Sequence, residues 1–292
     1  MQMLWYDYKE VFMNTITLTL TNQQIDTLQK LYQDETHLPP PAYAVLLIKT
    51  DQCTITVYQS NKVVFQGKEA EYHASFFRQA MTETHAGSDE VGTGDYFGPV
   101  CVCACIVESE IIPQLEPYKI QDSKAITDSK ILEIGPVLIK LLPHSILVVD
   151  NKKYNQIHQK YNMNQIKALL HNQAYLHLEK KHTLPKLVVI DQFTPEASYY
   201  RYLSFEKEVV RGIRFETKAE NKYLAVACAS IIARYTFLIY FEQLNKKYEW
   251  TFPKGAGTTV DQNAREFVEK FGFSELENVA KLHFANTSRV KE

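Results

Sequence analysis

The stretch G-S-D-E-V-G-T-G-D-Y-F-G-P, Gly87–Pro99, constrains this chain more than any other. It runs into an apolar segment, Pro99–Val107, in which Cys101, Cys103 and Cys105 alternate. Successive side chains of a strand point to opposite faces, so the three cysteines share one face. Asp89 and Glu90, side by side at a strand end, repel each other unless a cation is shared, which points to a divalent metal. The glycines let the backbone approach a ligand closely or adopt dihedrals closed to other residues. A dinucleotide-binding fingerprint is the natural rival, and it fails on spacing. Gly92, Gly94 and Gly98 give G-x-G-x-x-x-G, with the strand after the glycines rather than before them. A glycine-rich turn with solvated acids is the plain alternative.

From there the chain alternates. Strand signals at Pro99–Val107, Ser145–Val149 and Leu187–Ile190 are separated by helical periodicity at Asp128–Leu142, Asn164–Lys180 and Tyr223–Lys247. This predicts an α/β domain with a mixed sheet. A last helix, Asp261–Phe271, reads as plain packing. Upstream of Gly87 the pattern differs. Thr15–Leu20 alternates strictly, and Asn22 suits the N-cap of a helix over Gln23–Asp34 that Pro39-Pro40-Pro41 stops. Three short runs follow, Ala44–Lys49, Cys53–Tyr58 and Lys62–Gln66, with a tight hairpin at Gln59-Ser60-Asn61. A helix over Glu69–Thr82 closes this small β-α-β-β-β unit. The expected organisation is an extension at 1–12, a small α+β domain at 13–84 and the larger α/β domain at 85–292.

Composition narrows the partners. With 292 residues, 45% hydrophobic and 23% charged, the chain can bury a sizeable core. No window approaches the roughly 18 apolar residues of a membrane span, and the first twelve residues lack the pattern of a signal peptide. No membrane partner is expected. Five cysteines without C-x-x-C spacing read as small buried residues in a reducing cytoplasm, with no disulfide or metal role. Net charge is −2, and residues 1–86 carry 6 Lys/Arg against 9 Asp/Glu, the remainder 26 against 25. Any site for a polyanion is therefore built locally.

Two further acids join Asp89 and Glu90. Asp191 ends the apolar run L-V-V-I-D and sits at the carboxyl edge of a strand, although alone it reads better as a turn or N-cap aspartate. Glu220 lies between Lys218 and Lys222, just before a helix whose Ala225, Ala227, Ala229 and Ser230 allow close packing on a sheet. Four convergent acids with lysines around them describe a two-metal phosphodiester site.

The Gly87–Pro99 run, D-S-K at Asp122–Lys124, Asn164–Ala174, I-D-Q-F at Ile190–Phe193, T-K-A-E at Thr217–Glu220, A-S-I-I-A-R at Ala229–Arg234 and F-P-K-G-A-G at Phe252–Gly257 together resemble bacterial ribonuclease HIII. The resemblance covers about Gly87 to Asp261, and the first motif is the most specific. Related type 2 enzymes typically carry arginine where this chain has Thr93 and lack a preceding domain. The N-terminal unit resembles the TATA-box-binding-protein-like domain of ribonuclease HIII.

The resemblance implies a ribonuclease-H-like mixed sheet flanked by helices, and hydrolysis of the RNA strand of RNA/DNA hybrids with Mg²⁺ or Mn²⁺. It makes Asp89, Glu90 and Asp191 metal ligands and gives Glu220 the fourth acidic position, often an aspartate in relatives. Gly92, Thr93 and Gly94 become the loop that reads ribose 2′-hydroxyls. Lys124, Lys167 and Lys218 become phosphate contacts, and Thr217 a further substrate-binding residue. A monomer without organic cofactor is expected.

Other residues carry weaker signals. His171 reads as a hydrogen-bonded packing residue rather than a ligand, and Arg234 as the partner of a carboxylate within the fold. Tyr58 and Phe65 read as core, or, if exposed, as a platform for stacking on nucleic acid. Two rival functions stand beside the main one: cleavage at single embedded ribonucleotides, and hybrid binding without catalysis.

Overall fold

Strict alternation at Asn14–Thr19 produces strand β1, whose Ile16 and Leu18 are partly covered while its other side chains are exposed. The computed structural model describes residues 14–20, 22–77, 83–118, 120 and 126–291, in two units, Met1–Ala80 and Met81–Glu292. The first unit continues with α1 (Asn22–Leu31), β2 (Thr36–Leu38), β3 (Ala44–Lys49), β4 (Cys53–Tyr58), β5 (Lys62–Gly67) and α2 (Ala70–Ser75). Its antiparallel sheet has the order β1-β5-β4-β3-β2. Register places Ile48, Ile55 and Phe65 in one row, buried with Leu28, Tyr32 and Phe77 from the helical side. The opposite face carries Thr15 and Thr17 of β1, Lys62 and Val64 of β5, Thr54, Thr56 and Tyr58 of β4, and Lys49 of β3.

Two expectations change here. The first helix stops at Leu31, well before the prolines, and an edge strand that the sequence pattern does not predict, β2, pairs antiparallel with β3. Three residues are too few to display a period. The expected helix to Thr82 is seen over Ala70–Ser75, and residues 78–82 and the extension at 1–12 lie outside the described residues.

The second unit follows the order β6 (His85–Val91), β7 (Val100–Val107), α3 (Ile112–Leu115), α4 (Asp128–Leu141), β8 (His144–Val149), α5 (Asn151–His158), α6 (Met163–Glu179), β9 (Val188–Asp191), α7 (Glu196–Tyr202), β10 (Arg214–Glu216), α8 (Leu224–Tyr248), α9 (Thr258–Phe271) and α10 (Ala285–Lys291). Its mixed sheet runs β10-β9-β6-β7-β8; β10, β9 and β6 are mutually parallel, and β6-β7-β8 antiparallel. A strand therefore precedes the glycines as well as following them, contrary to the sequence reading. Its composition, H-A-G-S-D-E-V, hides it, because glycine and two acids lower strand propensity. Polar α5 and the three-residue β10 are hidden for similar reasons.

Each face of this sheet has its own core. Cys101, Cys103 and Cys105 pair with Val91, Asp89 and Gly87, and all three cysteines are buried on the side of α4 and α8. Val100, Val102 and Ala104 point to the other side, toward α6. Close approach of α8 depends on Gly87, where a Cβ would collide with the backbone nitrogen of Val226. By length and composition α8 could cross a membrane, which corrects the expectation that no window comes near. Its apolarity has another cause: it packs against β6, β7 and α4, and thirteen of its residues are buried.

Candidate active site

Parallel pairing of β6 with β9 places Ser88 opposite Ile190, so the next residues, Asp89 and Asp191, stand side by side on the α8 face. Asp89 accepts hydrogen bonds from the Ser230 hydroxyl of α8 and from the Glu90 N–H at 2.8 Å. Burial, then the neighbouring Glu90 and Asp191 charges, holds the Asp89 carboxyl far above the usual carboxylate range. Asp191 Oδ1 accepts the Ala219 N–H at 2.9 Å, which ties the strand end to the 3-10 turn Ala219–Asn221. That turn carries Glu220, 2% exposed. Glu216 pairs in register with Asp191 and forms an ion pair with Lys222.

Glu90, one residue on, faces the opposite side and meets α6. His171 Nε2 lies 2.8 Å from Glu90 Oε2, and the Lys167 ammonium forms an ion pair with Oε1. Burial alone would raise Glu90, but the His171 hydrogen bond and charge, with Lys167 beside them, hold it below the ordinary glutamate range. Lys167 is thus buried against an acid and not presented to phosphate, which corrects the sequence reading. His171 is the hydrogen-bonded packing residue expected, though its partner is a site acid. The signal for both is their spacing of four residues on one helix face.

Carboxylate oxygens from Asp89, Glu90, Asp191 and Glu220 are a hard donor set that suits Mg²⁺ or Mn²⁺. Among the described residues no three His, Cys, Asp or Glu side chains already stand in a metal-holding cluster. The physical reason for Glu90 is its turn toward α6.

The glycine loop is tied down from behind. Gly92 and Gly98 have φ of +92° and +80°, open to glycine, whereas Gly94 is exposed and a Cβ added there would meet nothing within 4 Å. Lys281, fully buried, donates through Nζ to the carbonyls of Asp95 at 2.8 Å and Gly98 at 2.6 Å. Asn151 Nδ2 also donates to the Gly98 carbonyl, and the Gly255 N–H donates to Asp95 Oδ1 at 2.6 Å. Lys281 and Asn151 escape the sequence reading because nothing local marks them. Thr217 and Lys218 are exposed beside the Glu220 turn, Lys218 with φ of 54°. Lys124 lies outside the described residues. Arg234 pairs with Asp128, as does Lys254.

In the first unit, Tyr58 is half-buried on the open sheet face, while Phe65 is fully buried and stacks on Phe77 at 6.1 Å. Phe65 is core, and it cannot serve as a stacking platform.

The family model for ribonuclease HII matches residues 86–287, and a model described as a domain of unknown function matches 15–90. Ribonuclease HIII of Bacillus mycoides is 39% identical over 304 aligned positions, covering 95% of this chain and 97% of the relative. The chain belongs to the ribonuclease HIII family. A solved member of that family, Bst-RNase HIII in complex with Mn²⁺, superposes with a TM-score of 0.73 at 35% identity, covering 95% and 98% of the two chains. Aquifex aeolicus RNase H3, at 21% identity and a TM-score of 0.57, shares the fold, covering 92% and 99%. Family membership extends across both units, because the ribonuclease HIII relatives match nearly end to end.

Proposed function

We propose that this ribonuclease HIII family member cuts the RNA strand of RNA/DNA hybrids internally, leaving 5′-phosphate and 3′-hydroxyl ends. The observation that carries the reading is the placement of Asp89 and Asp191 side by side on paired parallel strands, with Glu90 adjacent. Asp89, Glu90, Asp191 and Glu220 would hold two divalent cations, Mg²⁺ or Mn²⁺, which polarise the phosphodiester and activate water. The protein's own part is position. The Ser230 hydroxyl and the Ala219 N–H fix the directions of Asp89 and Asp191. At Gly94 the backbone is open to close approach, which suits a loop of Gly92, Thr93 and Gly94 reading the 2′-hydroxyl that separates RNA from DNA. Lys218, exposed beside Glu220, would meet phosphate and the equally exposed Thr217 the substrate, and Lys124 keeps its phosphate role by resemblance alone.

In this reading residues 13–84 form the substrate-binding domain and 85–292 the catalytic one. The open face of the small sheet, with Tyr58, Lys49 and Lys62, meets the hybrid. No organic cofactor is needed. The protein acts as a monomer in the cytoplasm, where five buried free cysteines stay reduced.

The test is a cleavage assay on hybrid, duplex RNA and duplex DNA, with and without metal. Only the hybrid should be cut, and only with Mg²⁺ or Mn²⁺. Asp89→Asn should abolish turnover and keep hybrid binding. An active Asp89→Asn protein would sink the assignment. A duplex carrying one ribonucleotide, cut as fast as the hybrid, would favour the embedded-ribonucleotide activity instead.

A further inference from the structure

Each oxygen of Glu90 is gripped by a different side chain of one helix. Lys167 and His171 are four residues apart, so they stack on the same face of α6. Their side chains are 10% and 0% exposed. A carboxylate can only accept, so the His171 Nε2 that lies 2.8 Å from Glu90 Oε2 carries the proton. The other ring nitrogen, Nδ1, is held 2.7 Å from Ser88 Oγ, and Ser88 shares with Glu90 the α6-facing side of β6. Below the pair, the Phe193 ring stacks on His171 at 5.3 Å and carries the Lys167 ammonium 4.1 Å from its centroid. Serine, imidazole, ammonium and ring hold one another, and the Lys167 ammonium is spent on the Glu90 carboxylate and the Phe193 ring.

We propose that His171 and Lys167 are positioning residues that fix where the Glu90 carboxylate can meet a divalent cation. This rests on reading Glu90 as a metal carboxylate. Partners that orient a ligating carboxylate commonly matter about 10- to 100-fold in metal affinity. Lys167 on this account serves the acid, with no part in gripping the nucleic acid backbone.

The experiment is Mn²⁺ titration of the full-length protein by calorimetry, without nucleic acid. His171→Phe keeps a ring on Phe193 and removes the donor, and it should weaken Mn²⁺ binding about 10- to 100-fold. His171→Gln, whose amide can reach Glu90, should recover most of the loss and serves if the phenylalanine variant does not fold. Hybrid binding in EDTA should be unchanged in Lys167→Met, with the same dependence on salt. Wild-type Mn²⁺ affinity in folded His171→Phe, or no recovery in His171→Gln, would overturn the proposal. So would weaker hybrid binding by Lys167→Met with a salt slope lower by about 1, the mark of one lost phosphate contact. Asp191→Asn in the same titration separates the two levels. If it also keeps full Mn²⁺ affinity, the metal-site reading itself fails; if it loses affinity while His171→Phe does not, only the positioning role fails.

Discussion

Glu220 is the acid whose part is easiest to isolate, because Glu220→Gln preserves its shape in a buried turn while removing the charge. If it is the fourth metal-site carboxylate, cleavage in Mg²⁺ should fall on the order of 100-fold or more, and added Mn²⁺ should restore part of it. Near-normal rates would transfer the role to Glu216, which pairs with Asp191 one strand over, or leave the site with three carboxylates. Lys281 makes a different prediction, about stability. Burial lowers its ammonium from 10.5 to about 7. Between those values the unfolded chain carries the proton and the folded chain does not, so this residue's contribution to stability rises with pH across the window. Below about 7 both states are protonated, and the cost of burying the charge is fully present. Lys281→Met strips a donor from the Asp95 and Gly98 carbonyls and should cost about 1–3 kcal/mol at pH 9. Urea midpoints of the two proteins should draw together as pH falls toward 6. A gap that widens on acidification would contradict the assignment.

The contact between β6 and α8 is the element on which the acids depend. Gly87→Ala puts a methyl group into the backbone of Val226, and both neighbours are main chain that cannot swing aside. The strand or the helix must move, at a cost of roughly 3 kcal/mol or more, and Asp89 moves with its strand. Thermal unfolding should fall by several degrees, and hybrid cleavage should drop with it; an unchanged melting temperature would mean that α8 yields easily. Much at this scale is legible in local pattern. The alternating cysteines, the small residues of α8 and the helices at Asp128, Asn164 and Tyr223 each carry their own period. Parity of a strand is readable, but which parity faces a helix is not. Sequence alone leaves Tyr58 and Phe65 undecided for that reason, and only the pairing of Ile55 with Phe65 separates core from open face. Lys167 misleads for the same reason: helical spacing joins it to His171 but does not say what lies opposite. Lys281 acts on a loop far away in sequence, which no local pattern encodes.

For the whole molecule, the charge distribution sets the question. Residues 1–86 are net negative and the remainder is nearly neutral, so hybrid affinity depends on local surfaces. Deleting Met1–Thr84 should weaken hybrid binding about tenfold or more if a few phosphate contacts go with it. Cleavage should return at high enzyme concentration, because the four acids remain. Equal affinity in an electrophoretic shift assay would make the small unit a packing or partner-binding module instead.

Pairing of β6 with β9 brings Asp89 beside Asp191 from far along the chain, with α4, β8, α5 and α6 all folded between them. No short piece of the sequence can hold both acids at that spacing. The site therefore exists only where the long intervening loop has closed, and it shares the entropic cost of that closure. A chain that is half folded, or one whose β9 has come loose, carries every acid and yet lacks the paired carboxylates that the site is built on.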